Sequence, residues 1–220
     1  PLVSSSAASD VYKRQPFFVP TDPLLNLATC RYRGDHCYIF VEESQWDIIV
    51  AQSDVDKLGA LFDKATPADP DRGMYELAVE AFGPAPDRDG DPRVFILLLD
   101  IPDDRVVGYF DRSIYKHAQE QLRRDTVYLD ARKLVFEAYL GRGTLAHEFQ
   151  HLIHWGHDED EEAWVDEGLS GYAEELTGFP ETDPSMVPSF LNNTDRDLTR
   201  WPFPAGSHSY GKTYLFASFM

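Results

Sequence analysis

The sequence predicts an α+β protein, and three observations carry that expectation. Helix-prone segments come first, strand-prone segments fill the middle, and from about Leu134 the pattern turns helical again. Within the middle, Arg93-Val-Phe-Ile-Leu-Leu-Leu-Asp100 is a continuous apolar run of strand length, the pattern of a strand buried on both faces. No internal repeat and no long linker divides the chain. With 220 residues, 43% of them hydrophobic, one domain with a sizeable core is expected.

Taken in order, Ser5 to Gln15 reads SSAASDVYKRQ, which resembles the translation of a sequencing-library adapter. Residues 1–15 are therefore expected to be foreign and 16–220 to form the domain. Cys30 and Cys37 bracket a turn at Gly34-Asp35, and Cys37-Tyr-Ile-Phe-Val41 is β-prone. The pair is expected to close a hairpin as a disulfide, which would place the protein outside the cytoplasm. Ser53 or Asp54 is expected to cap a helix running through Leu58, Leu61 and Phe62. A second helix is expected from Met74 to Phe82, stopped by Gly83-Pro84. The loop Asp87-x-Asp89-Gly90-Asp91 resembles the start of a calcium-binding EF-hand loop. Pro92 stands at the loop's bend and Leu98 where Glu is required, so a polar turn is favoured over a Ca²⁺ site. Val106 to Phe110 and Asp125-Thr-Val-Tyr-Leu-Asp130 read as further strands, the latter alternating as an exposed or edge strand would.

The chemistry concentrates at Thr144-Leu-Ala-His147-Glu148-Phe-Gln-His151-Leu-Ile-His-Trp155. On a helix, residues four apart stack on one face, where the imidazoles of His147 and His151 can bind one Zn²⁺. Leu145, Phe149 and Leu152 fall on another side and can anchor the helix in the core. Glu148 then lies beside the metal, placed to take a proton from a zinc-bound water and pass it to the leaving amine. A chance HExxH in a chain of this length has a probability of about half a percent, so the motif carries weight. A third protein ligand and an open fourth position complete such a site.

The next helix-prone segment, Glu161 to Leu176, contains Trp164-Val-Asp-Glu167-Gly168-Leu-Ser, with Glu167 early in it. Together with the HExxH helix this resembles the gluzincins, zinc metallopeptidases whose third ligand is a Glu from a following helix. The segment from Arg93 to Phe216 is most similar to secreted bacterial hyicolysin-type and immune-inhibitor-like peptidases. The resemblance implies a zincin-like domain with a small, mostly antiparallel sheet, an active-site helix and a Glu-bearing helix after it. It implies zinc held by His147, His151 and Glu167, and protein or peptide substrates. It implies secretion as well. Trp164, Leu169 and Tyr172 are expected to seat the second helix on the first, and Gly168 to relieve crowding beside the metal.

A rival reading uses the same residues. Metzincins take a third histidine six residues after HExxH, where His157 stands, but their turn glycine would fall at His154. His154 itself lies about 10 Å of helix rise from His147 and cannot share an ion with it. Further on, His208-Ser-Tyr210-Gly-Lys-Thr opens another helix. The resemblance implies that Tyr210, or else His208, stabilises the oxyanion of the tetrahedral intermediate. No G-x-M-E-N amine-binding motif occurs, which favours an endopeptidase over an exopeptidase. A peptidase-like binding module without turnover would need a damaged HExxH, and this one is intact.

Net charge is −18, which disfavours nucleic acid and anionic membranes as partners. No run of about 18 apolar residues is present to span a bilayer. Tyr214 to Met220 stops inside an apolar helical run, so the domain is expected to be truncated at its C-terminal end.

Overall fold

The computed structural model describes residues 14–19, 22–117, 122–180, 183–202 and 204–220, so most of the expected adapter segment lies outside the described residues. Six strands form one sheet: β1 (Arg14–Val19), β2 (Asp22–Arg33), β3 (Cys37–Glu42), β4 (Val94–Leu99), β5 (Gly108–Phe110) and β6 (Thr126–Asp130). Their order across the sheet is β1-β2-β3-β4-β6-β5. The helices are α1 (Gln52–Asp63), α2 (Met74–Phe82), α3 (Ile114–His117), α4 (Ala131–Phe136), α5 (Ala138–His157), α6 (Ala163–Leu176), α7 (Met186–Leu191) and α8 (Ser207–Ser218). The α+β class holds, but the sheet is mixed. β1, β2 and β3 pair antiparallel, as do β5 and β6, whereas β3, β4 and β6 run parallel at the centre.

The central strand is β4, buried at all six positions as its apolar run predicts. One face of the sheet, through Ile39, Ile96 and Leu129, packs on α1, α2 and α5. The other carries Tyr38, Phe40, Phe95 and Tyr128. Phe17 of β1 reaches Phe40 at 4.9 Å and Phe95 at 6.3 Å between ring centroids. Strands in register lie about 4.8 Å apart, so a β1 ring this close to β4 means the β1–β2 ribbon curls over this second face.

The two faces overturn the disulfide. Cys30 pairs in register with Phe40 and packs with the Tyr38–Phe95 side, whereas Cys37 is buried on the helix-covered side. Successive side chains in a strand point to opposite faces, and both thiols are free. The Cys30 Sγ instead donates to the Tyr32 carbonyl at 3.2 Å. What closes the hairpin is Gly34 N donating to Cys37 O at 2.8 Å, and the Asp63 carboxylate accepting from the amides of Asp35 and His36.

The edge-strand expectation for β6 also fails. β6 is buried along its length and paired on both sides, and its polar alternates are internally satisfied. Tyr128 stacks on Tyr109 at 4.6 Å, and Asp130 accepts from Ile101 N and caps α4 through Lys133 N. The true edge beside the helices is β5. α1 begins earlier than predicted, with Ala51 rather than Ser53 or Asp54 as N-cap, and Asp54 accepts from the Ala51 amide at 3.1 Å. α2 runs from Met74 to Phe82 and ends on Gly83 at φ 96°, a conformation that glycine alone adopts freely. Among the described residues, no helix is long and apolar enough to cross a membrane.

Candidate metal centre

α5 delivers the histidines because its opposite side is committed to the core. Leu145, Phe149 and Leu152 are fully buried, and Phe149 meets Phe62 at 5.0 Å and Tyr75 at 5.7 Å. With that side fixed, His147 and His151 lie one turn apart on the other, ring centroids 4.8 Å apart. α6 folds back across them. Glu167 Oε2 stands 3.2 Å from His147 Nε2 and 3.9 Å from His151 Nε2. The ligand atoms of these three residues all lie within 4.8 Å of one another. Each histidine thus turns its Nε2 toward a single carboxylate oxygen.

The Nδ1 atoms face outward to other carboxylates. His147 Nδ1 is 2.7 Å from Glu174 Oε1, and His151 Nδ1 is 2.9 Å from Asp166 Oδ1. Ser170 Oγ sits 3.0 Å from the same His151 nitrogen and donates toward Gln150 Oε1 and Asp166 O. Burial disfavours both imidazolium forms, but Glu167 and Glu174 outweigh it at His147 and raise that group well above the ordinary histidine range. At His151 burial likewise works against the charged form, and Asp166 outweighs it and raises the group. Burial works against ionisation of Asp166 and Glu167 too, yet the facing imidazoles hold both carboxyls below their ordinary values.

Glu148 lies beside this triad with its carboxyl raised by burial, against the pull of His151 and His147. Its Oε2 accepts from the Phe110 amide on β5 at 2.8 Å, so the sheet edge fixes where this carboxylate points. Two recesses border the cluster. One, of about 360 Å³, is lined by Phe110, His151, His154, Trp155 and Glu167 among others. The second, about 330 Å³, is lined by Val107, Thr144, His147, Glu148, Met186 and Tyr210 among others.

Tyr210 therefore shares a recess with His147 and Glu148, its phenol pushed up to about 12 by burial and by Glu167 and Glu148. His208 does not line that recess, and its Nε2 pairs with Ser209 Oγ at 3.3 Å. His157 is placed elsewhere. α5 continues unbroken through it, with no turn at His154, and His157 Nε2 stands 3.1 Å from the Pro84 carbonyl oxygen. His154 lines the first recess and faces Glu161 at 3.6 Å.

The seating of α6 differs from expectation. Trp164 packs on Phe216 of α8 and Tyr172 on Phe82 of α2. Gly168 does not face the histidine–carboxylate cluster. A Cβ there would lie 2.7 Å from the Thr213 carbonyl oxygen of α8, so the glycine serves close approach between α6 and α8. Sequence reasoning missed Asp166 and Glu174. The signal for Glu174 was its spacing of seven from Glu167, two helical turns on the same face.

Elsewhere, Asp87 and Asp89 of the calcium-like loop converge not with Asp91 but with Asp125, their ligand atoms within 4.8 Å of one another. Asp91 is turned to Tyr38 and Arg93, while Asp125 accepts from Tyr115 OH and Arg88 N. No protein-family model matches the chain, and no curated protein matches its sequence.

Proposed function

We propose that the chain is a zinc-dependent peptidase of the gluzincin kind, with a zincin-like fold and His147, His151 and Glu167 as its metal ligands. The observation that carries this reading is the convergence of two Nε2 atoms and one carboxylate oxygen, with a buried carboxylate, Glu148, beside them. Two imidazoles and one carboxylate are a ligand set that suits Zn²⁺ with one position left open, and the two recesses leave room on either side.

When bound, zinc would supply Lewis acidity toward a water and a scissile carbonyl. Glu148 takes the proton from the attacking water as its oxygen adds to the carbonyl carbon. As the C–N bond breaks, Glu148 returns that proton to the leaving amine. A carboxyl raised by burial is better suited to both halves of this exchange than an ordinary one. The Phe110 amide holds it in place. Tyr210, which lines the same recess, donates a hydrogen bond from its hydroxyl to the developing oxyanion. Protein or peptide substrates with internal cleavage remain the expected class. Secretion rests on the family resemblance alone, since the cysteines are unpaired.

The test is metal analysis of the purified chain together with casein hydrolysis in the presence and absence of a chelator. Glu148→Gln is expected to keep zinc and lose at least ~10²-fold in turnover. Near-normal hydrolysis by the zinc-loaded variant would remove Glu148 from its role. Glu167→Ala should lose zinc while His157→Ala keeps it, and the reverse pattern would favour the metzincin arrangement. A parallel ester screen separates a peptidase from a hydrolase of another bond.

A further inference from the structure

α6 does more than carry one ligand. Residues 167 and 174 are two helical turns apart and share a face. The face that presents Glu167 to His147 Nε2 at 3.2 Å therefore also presents Glu174 to His147 Nδ1 at 2.7 Å. One ring is gripped at both nitrogens by one helix. Glu174 is only 7% exposed, and a buried carboxylate is costly unless a partner compensates it.

A neutral imidazole carries one proton, and only its bare nitrogen can ligate a metal. A carboxylate accepts hydrogen bonds and donates none, so Glu174 draws that proton to Nδ1 and leaves the Nε2 lone pair for the ion. It also stops rotation of the ring about its Cβ–Cγ bond, which would exchange the two nitrogens. We propose that Glu174 is a positioning residue of the metal site, fixing the tautomer and orientation of His147 so that Nε2 meets the ion. The proposal rests on the zinc reading above, and it adds a residue that the HExxH and Glu167 motifs leave out.

The experiment uses the full chain and three readouts: zinc affinity by chelator competition, the visible absorption bands of the Co²⁺-substituted protein, and thermal unfolding of the metal-free protein. Glu174→Ala is expected to weaken zinc binding about 10–100-fold and to shift the Co²⁺ bands. Glu174→Gln keeps an acceptor oxygen and loses only the charge. It should recover most of the affinity, ending about threefold to tenfold below the wild-type chain, since an uncharged acceptor is roughly half as strong. A purely structural Glu174 would change unfolding and leave the Co²⁺ bands alone. Wild-type affinity and spectra in both variants would overturn the proposal. So would a glutamine variant as impaired as Glu167→Ala, which would make Glu174 a ligand. Should the alanine variant fail to fold, the glutamine variant carries the test by the same criteria. A wild-type chain that holds no zinc overturns the metal reading and this proposal together. One that holds zinc but cleaves no peptide overturns only the reaction.

Discussion

The role proposed for Tyr210 rests on position more than on identity. It lines the second recess from α8, as Glu148 does from α5, with its hydroxyl kept protonated by burial and two nearby carboxylates. A donor that must not ionise suits a phenol whose pKa is held near 12. Tyr210→Phe is expected to lower turnover by about 10²–10³ with zinc content and KM nearly unchanged, and His208→Ala to be almost silent. A silent Tyr210→Phe would remove the oxyanion role. At this scale the sequence was most informative where spacing forces geometry: an i,i+4 histidine pair can hardly point anywhere but to one side of a helix. It was least informative at Glu174 and Asp166, because an acidic residue on a polar helix reads as solvent-facing until its neighbours are known. The cysteines mislead for a related reason. Their separation in sequence suits a hairpin clip, but the bulge between Cys30 and Tyr32 leaves Cys30 facing the side away from Cys37.

Among the elements, the close approach of α6 and α8 joins the helix of Glu167, the proposed metal ligand, to that of Tyr210, the proposed oxyanion donor. Gly168 touches the Thr213 backbone, and α8 also meets α7 closely, where a Cβ on Gly211 would stand 2.1 Å from Met186 O. Alanine normally stabilises a helix by up to about 1 kcal/mol over glycine. Gly168→Ala should nevertheless destabilise the protein, by about 1–3 kcal/mol, because the added methyl must push α8 outward. Turnover should fall further than zinc content, since α8 carries Tyr210 and α6 stays seated on α5. Thermal unfolding, metal analysis and turnover of one variant check all three statements. A more stable Gly168→Ala protein would refute the tight contact. Strand β6 teaches the complementary lesson. Its alternation of polar and apolar residues is real, but Thr126, Tyr128 and Asp130 find partners inside the protein, so alternation alone does not tell an edge from an interior strand.

The whole molecule carries its negative charge unevenly. Where Asp87, Asp89 and Asp125 meet, the Asp89 carboxyl is pushed up to about 6, by partial burial first and then by Asp125, Asp91 and Asp87. An acid whose pKa rises on folding binds more protons in the folded state between its ordinary value of 3.8 and about 6. The acid therefore costs no stability below that window, and its ionised form destabilises the fold increasingly as pH climbs through it. Asp89→Asn should match the wild-type chain in unfolding temperature near pH 3.5 and exceed it at pH 7. Equal unfolding temperatures across the range would show that folding does not raise the Asp89 carboxyl. The class of fold, the central strand and the helix order were legible because burial and periodicity leave local marks. The parallel centre of the sheet and the curling of β1 over it were not, since they depend on contacts between segments far apart in the chain.

One feature of the centre bears on how the protein comes to exist at all. Glu167 is 20 positions from His147, and a short loop joins their helices, whereas the amide that orients Glu148 comes from 38 positions upstream. Closing a short loop costs little entropy and happens early, while joining distant segments is slow. The proposed ion-binding hairpin can therefore assemble ahead of the sheet edge that orients the Glu148 carboxylate. In refolding, zinc capture should precede recovery of hydrolysis, and the chain should pass through a stage that holds its ion but does not yet turn over substrate.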